Sequence, residues 1–189
     1  LRDSGKRVPP APVLLNQSSA DIMSAIGNVD ALDHATLLNR LASQADETTM
    51  LLAQNRLHHD EALVREAAVE FMELLPLPAR VNELLGLLDE PVYSVRAVLG
   101  RVLSAVTKNS SDGLSITPSQ RKKIQALSQD YWSTLVLHQD TAAAQINMGL
   151  FKLSRGEVIE AEKYYLRALR LEANHLGALL NLADLYRQQ

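Results

Sequence analysis

The chain repeats itself at two spacings. Val64-Arg65 returns as Val95-Arg96, 31 residues later, and DEALVREAAVEFMELL (60–75) aligns there with PVYSVRAVLGRVLSAV (91–106). At the same spacing Ala53 and Leu57 fall on Leu84 and Leu88, and one step further back lie Ile22, Ile26 and His34-Ala35. Toward the C-terminus the spacing becomes 34 residues: Gln145 falls on Leu179, Asn147 on Asn181, Met148 on Leu182 and Gly149 on Ala183. A unit that recurs this way cannot bury both of its apolar faces alone, so neighbouring copies must stack to close a core. Apolar positions throughout follow helical periodicity, which predicts an all-α chain of stacked helix pairs.

Composition agrees. Aromatic residues make up only 4% of the chain while Leu and Ala abound, which favours helix packing over strands. A formal net charge of −3 provides no basic field for nucleic acid. There are no cysteines, so disulfides, thiolate metal sites, cysteine nucleophiles and haem attachment through C-x-x-C-H are absent from this stretch. No run approaches the roughly 18 consecutive apolar residues of a membrane span, so no membrane insertion is expected. The sequence opens on Leu1 and stops within a repeat, and the expectation is a piece of a longer protein.

Four regions follow. Residues 1–17, with Pro9, Pro10 and Pro12, are expected to be extended, because proline fixes φ and lacks an N–H. Residues 18–107 read as about three helix pairs, at 19–44, 47–75 and 78–107, with Arg65 and Arg96 expected to form a ladder with turn acids such as Asp60 and Asp89. Residues 108–118 are a Ser-, Asn-, Asp- and Gly-rich loop, closed by Thr117 as N-cap and Pro118 in the first helical turn. Residues 119–189 hold a lone helix, a full repeat at 142–175 and the first helix of another at 176–189.

Gly149, Ala161, Tyr165 and Ala168 have a small–small–aromatic–small order at offsets of 12, 16 and 19 residues. Two helices cross closely only where side chains are small, and the aromatic ring fills the space beside the crossing. Arg155-Gly156 supplies the turn. With Ala183 repeating the glycine position, this stretch resembles the tetratricopeptide repeat; Gln145 and Ala173 depart from the family's usual aromatic and proline. The pairs before it resemble HEAT-type repeats, whose second helix commonly opens with an Asp or Pro turn followed by Val-Arg. Together these resemblances imply an α-α superhelix, a right-handed solenoid of antiparallel helix hairpins. They also imply that the first helix of each hairpin lines a groove. By the family register that surface carries Asn147, Leu150, Lys152, Asn181, Asp184 and Arg187, and its asparagines can hydrogen-bond an extended peptide backbone. Too few lysines and arginines stand at groove positions for a clamp on carboxylate tails.

The order of elements, ending in NLADLYR (181–187), also resembles the C-terminal region of bacterial tetratricopeptide proteins with c-type haem motifs upstream. That likeness implies an exported, periplasmic parent tied to electron transfer; no haem-binding residue lies in this stretch, and no cofactor is expected in it. No residue set reads as catalytic. His58-His59-Asp60 lacks a third metal ligand placed by sequence, and His34, His138 and His175 read as turn or surface residues. Ser115, Ser119 and Ser128 have no recognisable base partner. The expectation is a scaffold or adaptor that binds a protein or peptide; the alternative is an accessory domain of a multihaem electron-transfer protein.

Overall fold

A computed structural model describes residues 18–107 and 114–188. The expected extended segment 1–17 and residues 108–113 of the expected loop lie outside the described residues. Among those described there are ten α-helices and no strand: α1 (Ser19–Ala25), α2 (Ala31–Ala42), α3 (Glu47–Arg56), α4 (Ala62–Phe71), α5 (Leu77–Leu84), α6 (Tyr93–Val102), α7 (Pro118–Leu137), α8 (Ala142–Ser154), α9 (Val158–Leu171) and α10 (Leu176–Arg187). The chain forms two compact units, Leu1–Leu87 and Leu88–Gln189.

Side chains set the helix starts. Asp30 and Thr141 accept from the backbone N–H three residues on, at Asp33 and Ala144. Asp46 and Thr49 form a reciprocal capping box at α3, as do Thr117 and Gln120 at α7, where Pro118 occupies the first turn as expected. Helix α8 ends in a Schellman turn: the N–H of Gly156 bonds Leu153 O, and that of Glu157 bonds Lys152 O. Gly156 has φ +75°, a left-handed conformation that a Cβ would strain.

In the first unit α2 packs chiefly on α4, with α3 against α4. The 31-residue register is a register of burial. Ile22, Ala53 and Leu84 are all buried, as are Ile26, Leu57 and Leu88, and as are Val64 and Val95. The paired arginines share a common task. Arg65 Nη1 donates to the backbone carbonyls of His59 (2.7 Å) and Asp60 (2.8 Å), and Arg96 Nη1 donates to that of Pro91 (2.8 Å). A guanidinium reaches back over its own helix's N-terminal turn and satisfies carbonyls there. Arg96 also binds the Asp130 carboxylate through Nε at 2.9 Å, while Asp89 pairs with Lys123.

The boundary between the units falls at Leu87–Leu88, inside the third expected pair, so α5 belongs to the first unit and α6 to the second. Nor is α7 a lone helix. It packs along α6, and Gly100 sets the crossing: a Cβ there would lie 1.9 Å from the Leu127 carbonyl oxygen. Helices α8 and α9 form the second hairpin, where a Cβ on Gly149 would meet the Tyr165 ring at 2.3 Å. Ala161, Tyr165 and Ala168 are all buried at this contact, together with Ala142 and Ile146, and α10 adds Ala178, Leu182 and Leu185 to the same cluster.

Candidate interaction surface and aromatic cleft

Helix α8 has two jobs. On α8, Ala142, Ile146, Gly149 and Leu153 face α9, whereas Met148 and Phe151 pack with Leu135, Tyr131 and Trp132 of α7. The positions between these stripes reach the surface. Asn147 and Leu150 are exposed there, and the Asn147 amide makes no hydrogen bond among the described residues. On α10 Asn181 is half-buried and likewise unpartnered, while Asp184 and Arg187 are exposed and paired with each other. Of the proposed groove set, therefore, the two amides have free hydrogen-bonding capacity, and the two charged groups neutralise one another.

The repeat-signature residues divide. Gly149, Ala161, Tyr165 and Ala168 are buried at one crossing, but Ala183 is exposed, as are Leu176, Leu179 and Leu180 on the same helix. Gln145 is buried, and its Nε2 donates to the Gln139 carbonyl. Tyr165 carries a hydroxyl without a hydrogen-bond partner, and burial pushes its pKa up to about 12.

Lys152, grouped with the groove by register, turns instead toward α7. It lines a cleft of about 210 Å³ formed by Gln125, Ser128, Gln129 and Trp132 of α7, with Phe151, Lys152, Arg155 and Glu157 opposite. Lys152 Nζ stands 5.0 Å from the Trp132 ring centre and 2.6 Å from a Glu157 carboxylate oxygen. Arg155 lies 5.3 Å from the Phe151 ring centre, and its Nε bonds the other Glu157 oxygen at 3.1 Å. The hydrogen bond from Lys152, with that from Arg155, holds the Glu157 carboxyl below the usual carboxylate range. Sequence reasoning missed this cleft. Its available signals were the sole tryptophan and a Lys–Arg–Glu cluster at a helix end, neither of which follows a repeat period.

In the first unit, His34 is buried rather than at a turn or surface. Its Nε2 accepts from Arg56 Nε at 3.2 Å, and its ring meets that of His59 edge-on at 5.2 Å. Burial, then the Arg56 and His59 charges, push its pKa down to about 4. His59 Nδ1 accepts the Glu61 backbone N–H, so both histidines are committed to local bonds. No group of three or more His, Asp or Glu side chains among the described residues is placed to hold a metal ion. No helix among them is long and apolar enough to cross a membrane. In comparison with known proteins, no family model, no curated protein and no solved structure matches this chain.

Proposed function

We propose that the chain is a protein-interaction scaffold of the tetratricopeptide type, whose second unit holds an extended peptide or protein segment along α8 and α10. One observation carries this reading: Asn147 and Asn181, 34 residues apart, present side-chain amides with no partner among the described residues. An amide offers both a donor and an acceptor, which is what a peptide backbone needs, and repeating it once per hairpin spaces such contacts along a strand. Exposed Leu150 beside Asn147 and exposed Leu179 near Asn181 provide apolar contact for alternate side chains.

The test is a random-peptide display library panned against the whole chain. Selected peptides are expected to lose at least tenfold in affinity, about 1.4 kcal/mol, on the double substitution Asn147→Ala/Asn181→Ala. The thermal unfolding midpoint should not move, since neither amide supports the fold. Selected peptides that bind the double variant as tightly as the parent would remove this surface from consideration.

A further inference from the structure

Where α7 passes α8 the helices leave a cleft of about 210 Å³, walled by one indole, one phenyl ring, two cations, one carboxylate, two carboxamides and one hydroxyl. The charges do not balance. Among the described residues Lys152 and Arg155 share Glu157 alone, two cations to one carboxylate, on side chains only 22% and 23% exposed. A half-buried cation without an equal counter-charge attracts an anion more strongly than a solvated one does.

The donors are also incompletely used. Lys152 has one of its three N–H groups on Glu157. Arg155 uses Nε on Glu157 and Nη1 on the Ser104 carbonyl at 3.4 Å, and leaves Nη2 without a partner among the described residues. From the opposite wall Gln125 and Gln129 add two amides that have no hydrogen bond among the described residues. The Trp132 ring, held by Phe151 at 5.2 Å and Tyr164 at 5.8 Å between centres, is fixed as a flat apolar wall. The volume lies below the roughly 300–1,000 Å³ of sites that enclose a whole drug-sized ligand, and it suits a single ring with one acidic group.

We infer that this cleft binds a small, flat organic carboxylate, with its ring on Trp132 and its carboxylate between Lys152, Arg155 and the Gln125 and Gln129 amides. The cleft is independent of the peptide surface on α8 and α10. Glu157 then acts as a resident competitor, occupying part of the cationic field that the ligand needs. This yields an effect of unusual sign: removing the Glu157 charge should tighten binding, although it removes two ion pairs.

Because Trp132 is the only tryptophan, its fluorescence in the intact chain reports on the site directly. Benzoate, used as the probe, should quench it saturably, while the uncharged benzamide should bind at least tenfold more weakly. Lys152→Met should weaken benzoate binding about tenfold and Glu157→Gln should strengthen it several-fold. The double variant Gln125→Ala/Gln129→Ala alters only surface amides of α7, so it keeps the test alive if a charge variant misfolds; it should cost several-fold in affinity. Absence of saturable quenching by benzoate would overturn the inference. So would equal affinity for benzamide, or a folded Gln125→Ala/Gln129→Ala chain that binds benzoate unchanged.

Discussion

The α6–α7 and α8–α9 hairpins solve one packing problem with different residues. Every buried position of α6 has a buried counterpart on α8: Val95 with Ala144, Ala97 with Ile146, Leu99 with Met148, Gly100 with Gly149 and Val102 with Phe151. Each crossing uses a glycine, but the obstacle differs. Gly100 lies against the Leu127 peptide group, with a Cβ 1.9 Å from its oxygen and 2.5 Å from its carbonyl carbon, whereas Gly149 lies against the Tyr165 ring. One hairpin thus brings backbone to backbone and the other brings backbone to an aromatic ring. A shared burial pattern does not require a shared motif; it requires only that the closest point carry no side chain.

The largest effect expected from this comparison is at Gly100. A helical peptide group cannot move aside without breaking its own hydrogen bonds, so Gly100→Ala should cost about 3 kcal/mol or more. Chemical denaturation of the full chain measures this directly. A Gly100→Ala chain as stable as the parent would contradict the backbone contact.

At Gly149 the same methyl meets a ring that can shift, and alanine's better helix propensity returns about 1 kcal/mol. The expected net loss is about 1–2 kcal/mol for Gly149→Ala. Leucine at position 165 lacks the Cε1 and Cζ atoms that crowd the new methyl. A double-mutant cycle of Gly149→Ala with Tyr165→Leu should therefore show favourable coupling of about 1 kcal/mol. Strict additivity would mean that the ring is not what Gly149 accommodates.

Much of this is legible in the sequence, and what is not has a common cause. The 31- and 34-residue registers pick out buried positions such as Ile22, Ala53, Leu84, Met148 and Leu182, because burial recurs with the repeat. The α7 N-terminus is legible from Thr117-Pro118, since capping is local chemistry. The α6–α7 pairing is not. Its helices are joined by residues 103–117 rather than by three residues such as Arg155–Glu157, so no fixed period connects them. Gly100 is hidden for the same reason, inside a stretch that aligns with Asp60–Leu75. Spacing alone makes Ala183 a crossing residue; the spacing is real, but the residue is exposed. The aromatic cleft and the buried His34 escape because they depend on which faces meet, and spacing along one helix does not specify its neighbour's side chains.

Acid separates the two units, since neither glycine crossing has a histidine at its closest contacts, whereas the first unit buries His34. With its pKa lowered from 6.5 to about 4, His34 stays neutral in the fold at a pH where the unfolded chain is protonated. Its contribution is complete above about pH 6.5 and is lost as pH falls toward 4. Each tenfold change in proton affinity corresponds to about 1.4 kcal/mol, and water reaching the ring as charge develops reduces the loss to about 1–2 kcal/mol. Hydrogen exchange at pH 7 and pH 4.5 should show α2 and α4 losing protection relative to α8 and α9. Equal loss in both units would refute the assignment to His34.

The smallest effect sharpens the contrast most, because it removes a polar atom and leaves the ring against Gly149 in place. The Tyr165 hydroxyl is buried without a hydrogen-bond partner, so it bears a desolvation cost that no bond offsets. Tyr165→Phe should be neutral or stabilising by up to about 1 kcal/mol at pH 7. The advantage should widen in alkali. A tyrosine whose pKa is raised from 10.0 to about 12 contributes fully below pH 10 and loses that contribution as pH climbs toward 12, because the unfolded phenol ionises first. Phenylalanine has no such proton to lose. Urea midpoints of parent and variant at pH 7 and pH 10.5 are the measurement, and a Tyr165→Phe chain less stable than the parent at both would mean that the hydroxyl has a partner after all.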